Sequence, residues 1–286
     1  MPGEVRTRPA RLIVNADDFG YFDGVSRGIL EVAESGRLTA TGIMANGPAL
    51  ERWIGPLLSV PTLSAGVHLN ATLGEPLSVG MKQALTRSGG SFPAKGKLAA
   101  ALLLGRIAAD VVMEEWRMQI RRCCDLGVRP AFLNSHEHIH MLPLLYGRVR
   151  SLAAEFGIRH VRAPRAEWVV AFAPADLARN SALSIFSAMS KAAGSDEPRL
   201  LGVAKSGRLD VAYLEWRLQR LENGVTYELM CHPGRSDDVA LADPKLAAYH
   251  DWEGELQTLL SPGFGELLHR HRVELTAFPE EREMHQ

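Results

Sequence analysis

Carboxylate and imidazole side chains recur in this chain at the ends of apolar runs. Leu12-Ile13-Val14 leads into Asn15-Ala16-Asp17-Asp18-Phe19-Gly20, Ala65-Gly66-Val67 into His68-Leu69-Asn70, and Phe132-Leu133 into Asn134-Ser135-His136-Glu137-His138-Ile139-His140. A carboxylate pair with several imidazoles is the ligand set that a divalent metal of intermediate softness takes, and its repetition at strand ends points to one assembled site. The pattern is that of a metal-dependent enzyme.

Each cluster also has a plainer reading. At an extended strand end Asp17 and Asp18 point to opposite sides, so that one binds metal while the other addresses a metal-bound water; alone, an Asx turn before Gly20 explains them about as well. A single His68 on an apolar strand is more often a hydrogen-bonded core residue. His136, His138 and His140 share one face only if the strand runs through them, and three imidazoles on one face are poorly explained as packing. If the strand stops by His138, only His136 faces the metal, and Glu137 is a supporting or solvated carboxylate. In Glu228-Leu229-Met230-Cys231-His232-Pro233-Gly234 the Pro-Gly turn leaves His232 at the rim, as a general acid or as a surface histidine. Arg162, in His160-Val161-Arg162-Ala163-Pro164, orients a carboxylate or binds substrate, with a surface ion pair as the alternative.

The elements that must place these residues are short β-branched runs alternating with helical patterns, which predicts successive βα units and a mainly parallel sheet. Strands are expected near 11–16, 41–46, 65–69, 131–135, 160–163, 227–231 and 273–278, and helices near 24–35, 110–126, 143–156, 209–223 and 244–260. Seven strands fit a single-domain, TIM-like (β/α) barrel spanning 1–286, in which the loops after the strands open on one face and bring distant residues together. Val112, Trp116, Ile120 and Cys123 share a helix face, and Asp210 and Gly224 are the expected cap and stop of the helix near 209–223. Insertions are expected near 71–109 and 164–208, with the character of lids. Within the first, Leu98 to Leu104 is apolar all round a helix, which means burial or presentation to an apolar ligand or partner subunit.

Composition agrees with a core-forming enzyme. The 286 residues are 46% hydrophobic and 23% charged, and 32 basic against 33 acidic residues leave a net charge of -1, without the positive field of a nucleic-acid binder. Cys123, Cys124 and Cys231 form neither a disulfide framework nor a paired-cysteine metal site, which predicts a reducing compartment. The first residues lack the apolar core of a signal peptide and no run reaches the ~18 apolar residues of a spanning helix, so a cytoplasmic location is expected.

Taken together the motifs resemble the YdjC family of carbohydrate deacetylases, related in fold and chemistry to the NodB-type polysaccharide deacetylases. The likeness rests on Asn15 to Gly20, Thr39-Ala40-Thr41 through Asn46-Gly47-Pro48, Gly66-Val67-His68-Leu69, Ser135-His136-x-His138-x-His140, Val161-Arg162-x-Pro164 and Glu228 to Gly234. It implies a divalent metal held by Asp18, His68 and His136, with Asp17 as general base and His232 as general acid. Asn15, Asn70, Asn134, His138, His140 and Arg162 would touch substrate or orient the ligands. At position 134 the family usually has Asp; Asn can still hydrogen-bond an imidazole through its carbonyl oxygen. A narrower likeness, carried by Gly42 to Pro48 and Tyr249-His250-Asp251-Trp252-Glu253-Gly254-Glu255-Leu256, is to the hopanoid-associated branch of the family.

The activity implied is hydrolysis of the acetamide of an N-acetylated amino sugar, carried on a chito-oligosaccharide or a hopanoid, by a metal-bound water. Magnesium or zinc comes first, with manganese, cobalt and nickel also compatible with a mixed nitrogen and oxygen set. The partners expected are that sugar or glycolipid, with peripheral membrane contact and a homo-oligomer left open, and no nucleic acid. Two other classes compete: a non-haem iron oxygenase, which uses the same ligand types on an antiparallel barrel, and a metal-containing sugar-binding protein without catalysis.

Overall fold

The computed structural model describes residues 8–86, 89–163, 181, 185, 197–237 and 248–279. Its strands are β1 (Ala10–Phe19), β2 (Ala40–Ile43), β3 (Ser64–Leu69), β4 (Phe132–Ser135), β5 (His160–Val161), β6 (Arg199–Leu201), β7 (Thr226–Cys231) and β8 (Val273–Leu275). Every pairing among them is parallel, in the order β5-β4-β3-β2-β1-β7-β6, with β8 lying along the start of β1. The sheet is the curled half of a (β/α) barrel. Nine of the ten β1 residues are buried, which is why its sequence is nearly continuous in apolar residues instead of alternating.

The helices are α1 (Asp23–Glu34), α2 (Leu50–Leu58), α3 (Val79–Leu85), α4 (Lys95–Leu103), α5 (Ala109–Asp125), α6 (Pro143–Glu155), α7 (Val211–Leu218), α8 (Trp252–Leu260) and α9 (Pro262–Arg270). In α5 the expected face is the buried one, with Val112, Trp116, Ile120 and Cys123 all at 0% exposure. Asp210 caps α7 by accepting from the Tyr213 N–H, but the helix stops at Leu218, well before Gly224. The helix expected at 244–260 begins at Trp252, and residues 244–247 lie outside the described residues.

β6 lies inside the segment expected to be an insertion, where three residues carry too little periodicity to be seen as a strand. It takes a place in the seven-strand path, while β8 pairs off it. Most of 164–208 lies outside the described residues, and with it the expected second lid.

The segment after β3 is pinned to α5 by buried polar residues. Gln119 pairs with both the N–H and the carbonyl of Asn70, Trp116 donates to the same carbonyl, and Glu115 accepts from the Leu77 and Ser78 N–H groups. Leu98 and Leu102 of α4 are buried, whereas Leu103 and Leu104 are 83% and 64% exposed, so the apolar run is divided between core and surface. Among the described residues no helix is long and apolar enough to cross a membrane.

Candidate metal centre

The strand ends on one face of the sheet converge on a single cluster. His68 on β3 and Asn134 on β4 are register partners, so their side chains meet directly. Between them and β1 lies β2, where a Cβ on Gly42 would sit 3.1 Å from both Asn134 Oδ1 and His68 Cβ. A glycine there leaves the room that the two side chains fill.

On β1 the register slips between Ala16 and Phe19, and Asp18 has φ +70. Such a bulge re-aims side chains, and it changes the geometry expected of the aspartate pair. Asp17 and Asp18 do not diverge to opposite sides of a strand; they converge on His68, Asp17 Oδ1 lying 3.7 Å from Nδ1 and Asp18 Oδ1 lying 3.2 Å from Nε2.

The His cluster also departs from a strand. β4 ends at Ser135, residues 136–141 form a tight turn, and Glu137 and His138 both have left-handed backbones, φ +51 and +57. The alternate-face geometry therefore does not arise. His136 alone reaches the aspartates, its Nδ1 2.9 Å from Asp18 Oδ1. His140 turns into the protein: its Nε2 donates to the Arg162 carbonyl, so Nδ1 is the acceptor for the Ser135 hydroxyl. That neutral, fully paired ring is held down at about 3 by burial, against the hydrogen bond to the Arg162 carbonyl and with the help of the Arg162 charge. His138 is likewise held well below the usual imidazole range by burial and by Arg162, and its Nδ1 has no partner. Glu137 is exposed and pairs with Lys95.

The proton positions of the cluster follow from the hydrogen bonds. A carboxylate accepts only, so the Asn134 group 2.7 Å from Asp17 Oδ1 must be its amide nitrogen. Its carbonyl then faces His68 Nδ1 at 2.8 Å and takes that proton. His68 Nε2 is left facing the Asp18 carboxylate.

Arg162 holds the other side of Asp17, donating Nη1 to Oδ2 at 2.7 Å and Nη2 to Oδ1 at 3.0 Å. The same guanidinium donates to Glu228 on β7, which also accepts from Asn15. Burial pushes the Asp17 carboxyl up, but Arg162, with His68 and His232, outweighs it and brings it to about 2. Asp18 shows the same contest, with His136 and His68 overcoming burial and holding it well below the usual carboxylate range.

These residues fit a divalent cation. Asp18, His68 and His136 offer ligand atoms all within 4.8 Å of one another. Asp17 and Glu228 are buried against the guanidinium of Arg162, while Asp18 is buried between the imidazoles of His68 and His136. His68 Nε2 and Asp18 Oδ1 face each other across 3.2 Å, a spacing at which both atoms could ligate one ion.

His232 sits at the end of β7, 7% exposed, with its backbone N–H donating to Glu255 and its Nδ1 4.0 Å from the same carboxylate. Burial raises the Glu255 carboxyl, opposed by His232. Asn70 uses its side chain within its own turn, accepting from the Thr72 and Leu73 N–H groups and donating to Asn46 and the Leu73 carbonyl. Asn15 donates its side-chain amide to Glu228, and its Oδ1 has no partner among the described residues. Glu228 and Glu255 were not singled out in the sequence; the available signal was a carboxylate inside an apolar strand in one case and inside an amphipathic helix in the other.

Residues 11–270 match the family model described as YdjC-like protein. A chitooligosaccharide deacetylase of Klebsiella pneumoniae (strain 342) is 35% identical over 251 residues, covering 87% of this chain and 90% of that protein. A carbohydrate deacetylase of Geobacillus stearothermophilus is 30% identical over 231 residues, covering 80% and 81%. In fold, the chain is similar to a candidate cellobiose-phosphate cleavage protein of Enterococcus faecalis V583, with a TM-score of 0.73 at 23% identity over 95% of this chain and 98% of that one.

Proposed function

The chain belongs to the YdjC-like protein family, and from that premise we propose that it removes the acetyl group from an N-acetylated amino sugar by metal-dependent hydrolysis. The names of the Klebsiella and Geobacillus relatives support the substrate class. The observation that carries the chemistry is the convergence of Asp18, His68 and His136 beside an Asp17 locked by Arg162 and Asn134. The non-haem iron alternative, tied to an antiparallel barrel, is disfavoured by a sheet whose pairings are all parallel.

Asp18, His68 and His136 would hold the ion, magnesium or zinc. When bound it supplies Lewis acidity, polarising the acetamide carbonyl and acidifying a water. Asp17 is the general base. Its Oδ1 receives Arg162 and Asn134, while Oδ2 receives one Arg162 N–H and keeps a lone pair for an incoming proton. A carboxyl at about 2 is ionised at neutral pH, so it needs no prior deprotonation. His232 is the general acid that protonates the departing amine, held at the rim through its backbone N–H on Glu255.

A lipid-linked acetamido sugar of the hopanoid class is favoured over a free chito-oligosaccharide by one observation, the exposed Leu103 and Leu104 at the end of α4, whose other end pairs with Glu137 beside His136. The test is acetate release from N,N'-diacetylchitobiose and an N-acetylglucosaminyl hopanoid side by side. Release that a chelator abolishes and added metal restores is the expected result, with the hopanoid preferred. Glycan binding without acetate from either substrate would replace catalysis by a binding role.

A further inference from the structure

Next to His232 lies a second imidazole, His250, with the ring centroids 4.9 Å apart and the planes at 59°. His250 is stacked on Trp252, 4.9 Å away at 20°, and Tyr249 meets it edge-on at 4.7 Å. Trp252 is itself 6% exposed, so the stack stands on a fixed base. Burial and the neighbouring His232 push the His250 ring down to about 3, which leaves it neutral and without a proton to trade in the working range. Among the described residues its Nδ1 has no hydrogen-bond partner. It is thus held by shape.

The shape is supplied by a strap from another part of the chain. Gly207 has φ +79, and a Cβ there would come within 3.0 Å of His250 Nδ1 and 2.7 Å of the Tyr249 carbonyl. Only a glycine combines that backbone with that approach. The Gly207 carbonyl accepts from the Asp251 N–H at 2.7 Å, and Arg208 donates to the Ala248 carbonyl. Glu255 then joins the strap to the loop after β7, accepting from the N–H of Leu209 at 3.1 Å and of His232 at 2.5 Å. Residues of three segments are thus locked around an imidazole whose Nδ1 has no partner among the described residues.

We infer that His250 is a positioning residue for His232: its ring, wedged between Trp252 and the Gly207 strap, fixes the direction in which the His232 imidazole presents its proton. The inference rests on the acid role proposed for His232, and it predicts that a ring of the same shape serves without the nitrogens. Misdirection of a reacting group by about 1 Å costs up to ~10²-fold in rate.

The experiment compares His250→Ala and His250→Phe with the wild-type protein, in crystal structures and in acetate release. In His250→Ala the His232 ring is expected to leave its rotamer and kcat to fall at least ~10-fold with KM within about 2-fold, while His250→Phe keeps the rotamer and most of kcat. On a His232→Ala background the His250→Ala change should cost nothing further in kcat. An unmoved His232 in His250→Ala overturns the inference, and so does movement in both variants, which would make the nitrogens and not the shape responsible. These readings do not need turnover: a wild-type protein that releases no acetate while His232 moves as expected would count against the deacetylase reading alone.

Discussion

Asp17 and Asp18, neighbours in the chain, stand at opposite edges of one imidazole, 3.7 Å from His68 Nδ1 and 3.2 Å from His68 Nε2. Asn134 divides their roles. By donating its amide N–H to Asp17 and accepting the Nδ1–H of His68, it leaves one aspartate in its own hydrogen-bond network and the other facing Nε2.

Replacing Asp17 by Asn should leave metal content unchanged and slow turnover by ~10²–10⁴-fold, the range for loss of a general base. Acetate release measured on protein of known metal content decides it. Turnover near the wild-type rate would move the base elsewhere.

His68→Ala and His136→Ala should each lose the ion, since two remaining ligands rarely hold a catalytic metal. Elemental analysis after dialysis reads this directly. Full occupancy in both variants would be incompatible with the centre described above.

Asn134→Leu removes the acceptor for His68 Nδ1 and should weaken metal affinity by ~10–100-fold, as for other losses of a partner behind a metal-binding imidazole. Asn134→Asp instead sets a carboxylate against Asp17 Oδ1. Like charges oppose ionisation, so the acid limb of kcat/KM should move to higher pH. A limb that stays put or moves to lower pH would contradict the contact.

Acid stability should fall in two windows. His140 is buried neutral at about 3 against an ordinary 6.5, so its contribution is complete above the unfolded value and is lost as the pH drops from about 6.5 toward 3. Asp17, depressed to about 2 from 3.8, contributes roughly 2 kcal/mol that is lost from about pH 4 downward. His138 and His250 are depressed in the same way and share the first window, so denaturant midpoints across pH should show both windows, and His140→Gln should make the first shallower while leaving the second unchanged. A first window of unchanged depth in that variant would exclude a contribution from His140.

Much of this arrangement is legible in the chain because parallel strands leave a coarse signature: an apolar run, then polar residues at its end. β1, β3, β4 and β7 were all visible that way, and with them Asp18, His68, His136 and His232. What escaped depends on local backbone geometry. The bulge that swings Asp17 and Asp18 to one imidazole, and the left-handed pair Glu137 and His138 that ends β4, cannot be read from alternation, which assumes a regular strand. His140 looked like a ligand because a histidine facing Ser135 and a carbonyl is indistinguishable in sequence from one facing a metal. His250 and Glu255 escaped because their meaning lies in tertiary contacts with His232 and Gly207.

Arg162 follows a two-residue strand at one end of the sheet path, yet its guanidinium reaches Asp17 on β1 and Glu228 on β7, across the interior. It is a tie rod as well as an electrostatic partner. A two-residue edge strand is anchored through the same charge network that holds the proposed base, so under that proposal rate and rigidity would be coupled. A variant that relaxes Asp17 to tune its basicity would also slacken the β5 edge, and improvements in one property should be bought with losses in the other.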